Sequence, residues 1–173
     1  TIPGDYSHAA MLLAAGAVYG QVTVTGLVPD PLQKDSEILH ILSRMGARVK
    51  IGPDHVTVSE GALTGTDVDA SHIPDIVPAI AAAACAARGE TRIFNASRLR
   101  LKESDRIAAI VQELSRLGAD IAEKPDGFVI RGGKKLHSAR CCSHNDHRIA
   151  MMLMTLGGMC GGIELDHTNC IAK

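Results

Sequence analysis

Five charged side chains fall within the eight residues LRLKESDR (99–106), between segments that are otherwise largely apolar. Arg98, Arg100 and Lys102 alternate, so on an extended backbone they point to one side and make a three-pronged cationic edge suited to an oxyanion. Glu103, Ser104 and Asp105 follow, where the amphipathic run Ile107, Ile110, Val111, Leu114, Leu117 begins. The pattern predicts a helix with acids in its first turn, where the macrodipole favours them. A well-capped surface helix with solvated charges accounts for the same residues without chemistry, and spacing alone does not separate the two readings. His147 and Arg148 are a second case, because they fall in the predicted first turn of an apolar helix, where a cation opposes the dipole. A locally unfavourable charge of that kind points to function. Cys141, Cys142, His144 and His147 carry donors suited to Zn²⁺. Adjacent cysteines and a short His-Asn-Asp-His run lack the usual ligand spacing, so no metal site is predicted.

The elements that position these residues are set by an internal repeat. Three segments match, GDYSHAAMLLAAGAVYGQVTV from Gly4, PDIVPAIAAAACAARGETRIF from Pro74 and NDHRIAMMLMTLGGMCGGIEL from Asn145. Asp5, Asp75 and Asp146 recur in them at spacings of 70 and 71. A second element keeps step, ILSRMGARVKI from Ile41 against ELSRLGADIAE from Glu113, with Gly46 and Gly118 separated by 72. Each unit reads as helix, strand, helix, strand, strand, with hairpin turns at Pro53-Asp54 and Pro125-Asp126-Gly127. The third is truncated after its first helix and strand. The first helix of each unit is apolar nearly all round and rich in Ala and Gly, which predicts burial on every side. Val22 and Val24 alternate with Gln21 and Thr23, and Val56 and Val58 with His55 and Thr57, so the sheets keep one wet face. The expected fold is α/β (α+β), with parallel helices in the centre and sheets outside them about a pseudo-threefold axis. Asp5, Asp75 and Asp146 each stand at a predicted helix start as candidate N-caps; for Asp5 capping is explanation enough, but symmetry opens the three helix starts toward one end of a single domain spanning residues 1–173, which points Asp75 and Asp146 toward function. Unpaired N–H groups there would meet an anion.

Composition removes several functional classes. The 173 residues carry a net charge of −1 with mixed signs and only 2% aromatics, so neither the basic footprint nor the stacking platforms of a nucleic-acid binder are present. The longest apolar runs fall short of the roughly 20 residues that cross a bilayer, and no signal segment opens the chain, so neither a membrane nor an export route is expected. Five cysteines, two of them adjacent, do not make a disulfide framework. A cytoplasmic location is expected. Thr1 is not Met, and Lys173 directly follows a strand-like segment, so a longer parent chain is expected as well.

The motifs LRLKESDR and NDHRIAM, about forty residues apart, together with HIPD some thirty residues before Glu103, resemble the carboxy-terminal part of the 5-enolpyruvylshikimate-3-phosphate synthase family. The resemblance runs the whole length, including the PGDxS opening and the terminal IAK. Signature segments of the related UDP-N-acetylglucosamine enolpyruvyl transferases do not appear. The resemblance implies two domains of three units each closing on substrates, of which this chain covers most of one. It also implies a missing amino-terminal domain and a short terminal helix after Lys173. The implied partners are phosphoenolpyruvate and shikimate 3-phosphate, with no cofactor and no metal, in aromatic amino acid biosynthesis. By resemblance, Asp75 is the base and substrate-hydroxyl ligand, Glu103 an acid-base partner and Lys102 a phosphoshikimate contact. Arg106, Arg148 and Lys173 clamp phosphoenolpyruvate, and Lys173 also shuttles a proton. Asp105, Asp146 and His147 support these groups. Arg98 stands where some members carry Asn, and Ser7-His8 where Ser-Ser is usual. The rival expectations are a non-catalytic anion-binding repeat module, another enolpyruvyl transferase, and an RNA cyclase-like relative.

Overall fold

A computed structural model describes residues 4–28 and 32–172. The first unit contains α1 (Tyr6–Tyr19), β1 (Gln21–Thr25), α2 (Glu37–Met45), β2 (Arg48–Ile51) and β3 (His55–Ser59). The second contains β4 (Asp67–Asp69), α3 (Val77–Ala86), β5 (Gly89–Phe94), α4 (Arg106–Arg116), β6 (Asp120–Lys124) and β7 (Gly127–Gly132). The third contains β8 (Ala139–Cys142), α5 (His147–Cys160) and β9 (Ile163–Asp166). Three sheets result, with strand orders β1-β3-β2, β4-β5-β7-β6 and β8-β9.

Central helices and outer sheets follow from the composition. α1, α3 and α5 pack on one another, and α3 is buried from Val77 to Cys85, because alanine side chains let helix axes approach closely. α2 and α4 are amphipathic and lay Ile38, Ile41, Leu42 and Met45, or Ile107, Ile110 and Leu114, onto that core. Gly46 and Gly118, aligned by the repeat, both turn the chain out of its helix at positive φ, 106° and 87°. An L side chain is disfavoured there.

The unit differs from the expected pattern in one element. Short strands β4 and β8 precede α3 and α5 and run parallel to β5 and β9, so these parts are strand-helix-strand crossovers. Three- and four-residue strands carry too little alternation to stand out in the sequence.

Burial also departs from expectation. Ala82 and Leu153 are fully enclosed, but Leu12 (53% exposed), Tyr19 (47%) and Met154 (63%) leave one side of α1 and α5 open. α2 packs against α1 and α3, and α4 packs against α5. Among the described residues no equivalent second helix lies over the α5/α1 side, so a largely apolar surface there meets solvent. No described helix is long and apolar enough to cross a membrane.

Candidate active site

The segment 97–106 does not form the extended cationic edge that alternation predicts. Residues Ser97–Leu101 make a 3-10 turn anchored by buried Leu99, which turns Arg98 and Arg100 apart. Arg100 leaves the site. It donates to the carbonyls of Lys124 and Pro125 and pairs with Glu123 and Asp105 at 2.8 and 2.9 Å, fastening the turn to the β6–β7 hairpin. The acids Glu103 and Asp105, with Ser104 between them, precede the helix rather than occupying its first turn. Asp105 is the N-cap of α4, accepting from the Ala108 N–H at 3.1 Å. Its role is to set where the helix starts, and so to place Arg106 at N1.

Arg106 is the centre of the site and is 1% exposed. Its Nε donates to Asp146 at 2.7 Å, one terminal nitrogen to Asp75 at 2.7 Å, and the other to Glu103 at 2.6 Å and Asp146 at 3.3 Å. Lys102 Nζ adds a second cation to Asp75 at 3.1 Å. Ser104 Oγ donates to Asp146 at 3.0 Å, and His147 Nδ1 lies 3.8 Å from Glu103. Residues up to 72 positions apart are thus joined through shared carboxylates.

Only two of the three repeated aspartates cap helices. Asp5 accepts from the Ser7 N–H at 2.7 Å and Asp146 from the Arg148 N–H at 2.9 Å. Asp75 instead sits inside the 3-10 turn Pro74–Ile76 and makes no cap. Pro74 begins this turn without needing an N–H partner, which leaves the Asp75 carboxylate free for Arg106 and Lys102. Arg148, 8% exposed, points its guanidinium at the backbone carbonyl of Ser7 in the first turn of α1, whose hydroxyl donates to Asp35. This answers its unfavourable position near the α5 N-terminus, since a carbonyl accepts from it. Lys173 lies outside the described residues.

Beside this network opens a cavity of about 350 Å³, lined by Ser7, Lys34, Asp35, Asp75, Arg98 and Lys102 among others. Arg98 therefore shares a wall with Lys102 and Asp75. Asp35 and Glu113 carry no site role on local pattern, and Ser7 and Ser104 stand out only as part of the Ser7-His8 pair and of the charged motif. The repeat held a signal for Asp35, because its spacing of 72 lays Lys34 over Arg106 and so brings the Gln33–Asp35 stretch to the site. His144 turns to Glu113 at 2.8 Å, and no group of three or more His, Cys, Asp or Glu among the described residues is arranged to hold a metal. Burial, with the nearby Glu113 carboxylate, pushes the Cys141 thiol up to about 11.

Charge balance sets the acid response. Burial works to raise the pKa of Asp75 and Asp146, but hydrogen bonds from Arg106, together with Lys102 at Asp75, outweigh it and hold both below the ordinary carboxylate range. Asp35 moves the other way, raised mainly by burial and also by the charge of Asp75, against the Ser7 hydrogen bond. For a depressed carboxylate the unfolded chain binds the proton first. Stability from Asp75 and Asp146 is therefore present above about pH 4 and lost as pH falls through their lowered values. The contribution of Asp35 has the opposite sign, present below about pH 4 and lost as pH rises through its raised value. Urea unfolding midpoints should therefore drop steeply on the acid side of pH 4, and Asp146→Asn should flatten that limb. An unchanged acid limb in the variant would separate Asp146 from the acid response.

The family model for EPSP synthase (3-phosphoshikimate 1-carboxyvinyltransferase) matches residues 1–173. The chain belongs to the EPSP synthase family. It is 44% identical over 160 residues to the 3-phosphoshikimate 1-carboxyvinyltransferase of Methanocaldococcus jannaschii, covering 91% of this chain and 37% of that protein. It is 41% identical over 174 residues to the enzyme of the same name from Clostridium perfringens, covering 99% and 41%. Among solved structures, EPSP synthase from Acinetobacter baumannii superposes with a TM-score of 0.87 at 28% identity, over 99% of this chain and 43% of that one. The enolpyruvyl transferase NikO from Streptomyces tendae shares the fold, with a TM-score of 0.75 at 22% identity, over 99% and 40%. The chain thus spans about two fifths of the EPSP synthase family members it matches.

Proposed function

We propose that this chain is one domain of a cytoplasmic enzyme that transfers the enolpyruvyl group of phosphoenolpyruvate to the 5-hydroxyl of shikimate 3-phosphate, releasing phosphate. The partner is the domain that EPSP synthase relatives carry beyond the matched region. The Arg106 cluster is the observation that carries the reading. A buried guanidinium holds one enclosed carboxylate, Asp146, and two that are partly exposed, Asp75 and Glu103. The exposed pair occupies the donors that an anionic substrate would take. Incoming carboxylate or phosphate oxygens replace them on the outer N–H groups, while Asp146 stays as the fixed counterion.

The chemistry divides into addition and elimination. In the first step the 5-hydroxyl oxygen bonds to C2 of phosphoenolpyruvate, its proton passes to a carboxylate, and C3 receives a proton. In the second the bond to the phosphate oxygen breaks and the new methyl group returns a proton. Asp75, kept ionised by Arg106 and Lys102, suits the hydroxyl acceptor. Glu103 suits the acid-base partner, because its carboxylate is half exposed and can turn between Arg106 and substrate. Lys102 and Arg98 face phosphoshikimate from the shared cavity. Arg106, Arg148 and Lys173 take the phosphoenolpyruvate anions, Arg by bidentate forks and Lys as a point charge that also carries a proton.

Half a site cannot exclude water, and electrostatic stabilisation needs a closed, preorganised cavity. The chain alone should bind phosphoenolpyruvate or inorganic phosphate weakly and release no phosphate. Adding the remaining domain of the M. jannaschii relative in trans should restore release that depends on both substrates. Robust release by the 173-residue chain alone would overturn the incomplete-site reading. A folded, associated pair with no turnover would favour a non-catalytic anion-binding module.

A further inference from the structure

α4 touches the loop between β8 and α5 at two points, and only the first belongs to the site described above. Arg106 binds Asp146 at one end. Seven residues on, on the same face of the helix, Glu113 is fully buried and accepts from the Cys142 N–H at 3.0 Å and from His144 Nε2 at 2.8 Å. Between these contacts His144 and Asn145 adopt left-handed backbone, φ 54° and 56°, where non-glycine residues persist only if their surroundings hold them. Asp146, His147 and Arg148 follow directly. From the outer side Ser143 ties the same loop to the His167 carbonyl at 2.8 Å, so Glu113 is the inner half of a grip on a strained turn.

The internal repeat supplies a control. Position 113 aligns with Ile41 of α2, which is 1% exposed and packs as ordinary core. The fold therefore accepts a branched apolar side chain at this place, and a buried carboxylate there is a costly departure unless something is gained. No left-handed residue precedes α3 between Ala70 and Asp75, in the loop that corresponds to 142–145. Carboxylate and strained turn occur together in the second and third units and are both absent from the equivalent place one repeat earlier.

We infer that Glu113 is a positioning residue. It holds the His144-Asn145 turn so that Asp146 meets Arg106 and Arg148 reaches the Ser7 carbonyl beside the cavity. The inference rests on the reading of this arm as anion-binding, and two readouts on the full 173-residue chain keep the two claims apart. The first is amide hydrogen exchange, which needs no ligand. Glu113→Ile, the residue of the first unit, should speed exchange across residues 143–148 by about tenfold or more, the scale of one lost hydrogen bond. Amides of the central strand β7 should stay protected, and Glu113→Gln, which keeps an acceptor for the Cys142 N–H, should stay close to wild type. His144→Leu should loosen the same segment. The second readout is phosphoenolpyruvate titration followed at the Arg148 amide, where Glu113→Ile should weaken binding about tenfold by the same scale. Unchanged exchange across 143–148 would overturn the inference. So would equal loss of protection in β7, or a Glu113→Ile chain that does not fold, since each makes Glu113 a general stabiliser. A wild-type chain blind to phosphoenolpyruvate counts against the anion-binding reading, while the exchange result still decides the role of Glu113.

Discussion

On the proposed reading, Glu103→Gln should lower the rate of phosphate release by about 10²- to 10⁴-fold once the chain is complemented by the remaining domain, the usual contribution of a positioned acid or base. The geometry separates this loss from any effect on folding. Glu103 pairs with Arg106 at 2.6 Å, with His147 farther off at 3.8 Å, and its side chain is 48% exposed. Gln keeps an oxygen to accept from Arg106 and nearly the same shape, yet neither gives nor takes a proton at neutral pH. Unfolding midpoints should therefore stay close to wild type while turnover collapses. Phosphate release at saturating substrate, measured beside urea unfolding, separates the two. Full activity in the Gln variant would remove Glu103 from proton transfer and leave it as a counterion.

The largest stability effect is expected at Asp146. Its carboxylate is 0% exposed and receives Arg106 Nε at 2.7 Å, Ser104 Oγ at 3.0 Å and the Arg148 N–H at 2.9 Å. Asp146→Ala leaves a guanidinium that is 1% exposed with the partly exposed Asp75 and Glu103 in place of its enclosed counterion, and uncaps α5 in the same stroke. Removing one partner of a buried pair costs about 3–5 kcal/mol. Asp75→Ala should cost less, because Asp75 is a third exposed and Arg106 keeps its enclosed counterion. Urea denaturation of both variants gives the comparison. A loss at Asp146 of under about 1 kcal/mol, the scale of an exposed pair, would mean that Asp75 and Glu103 suffice to balance Arg106 once Asp146 goes. The double variant Arg106→Met with Asp146→Leu should recover much of the loss, since an apolar pair of similar volume leaves no buried charge.

Much of this molecule was legible in the residues themselves. Apolar runs at helical spacing, alternating valines, paired glycines and a 70–72-residue period set five helices, the hairpins and the central position of α1, α3 and α5. The charged motifs around Lys102 and Arg148 marked both arms of the site, because charge beside apolar segments is a local property of the chain. Local pattern failed where a choice between backbone shapes depends on distant partners. Alternation at Arg98, Arg100 and Lys102 is compatible with a strand, but burial of Leu99 and the grip of Arg100 on the β6–β7 turn select a 3-10 turn. Asp75 looks like its two capping counterparts until Arg106, 31 residues away, takes its carboxylate. Glu113 looks like a surface residue of an amphipathic helix until the third unit packs on it and brings His144 and the Cys142 N–H within reach. Periodicity reports which face of an element is buried. Only the packing of one unit on the next decides which polar groups share that buried face, because the cost of an unpaired charge is settled by partners that sequence distance does not reveal.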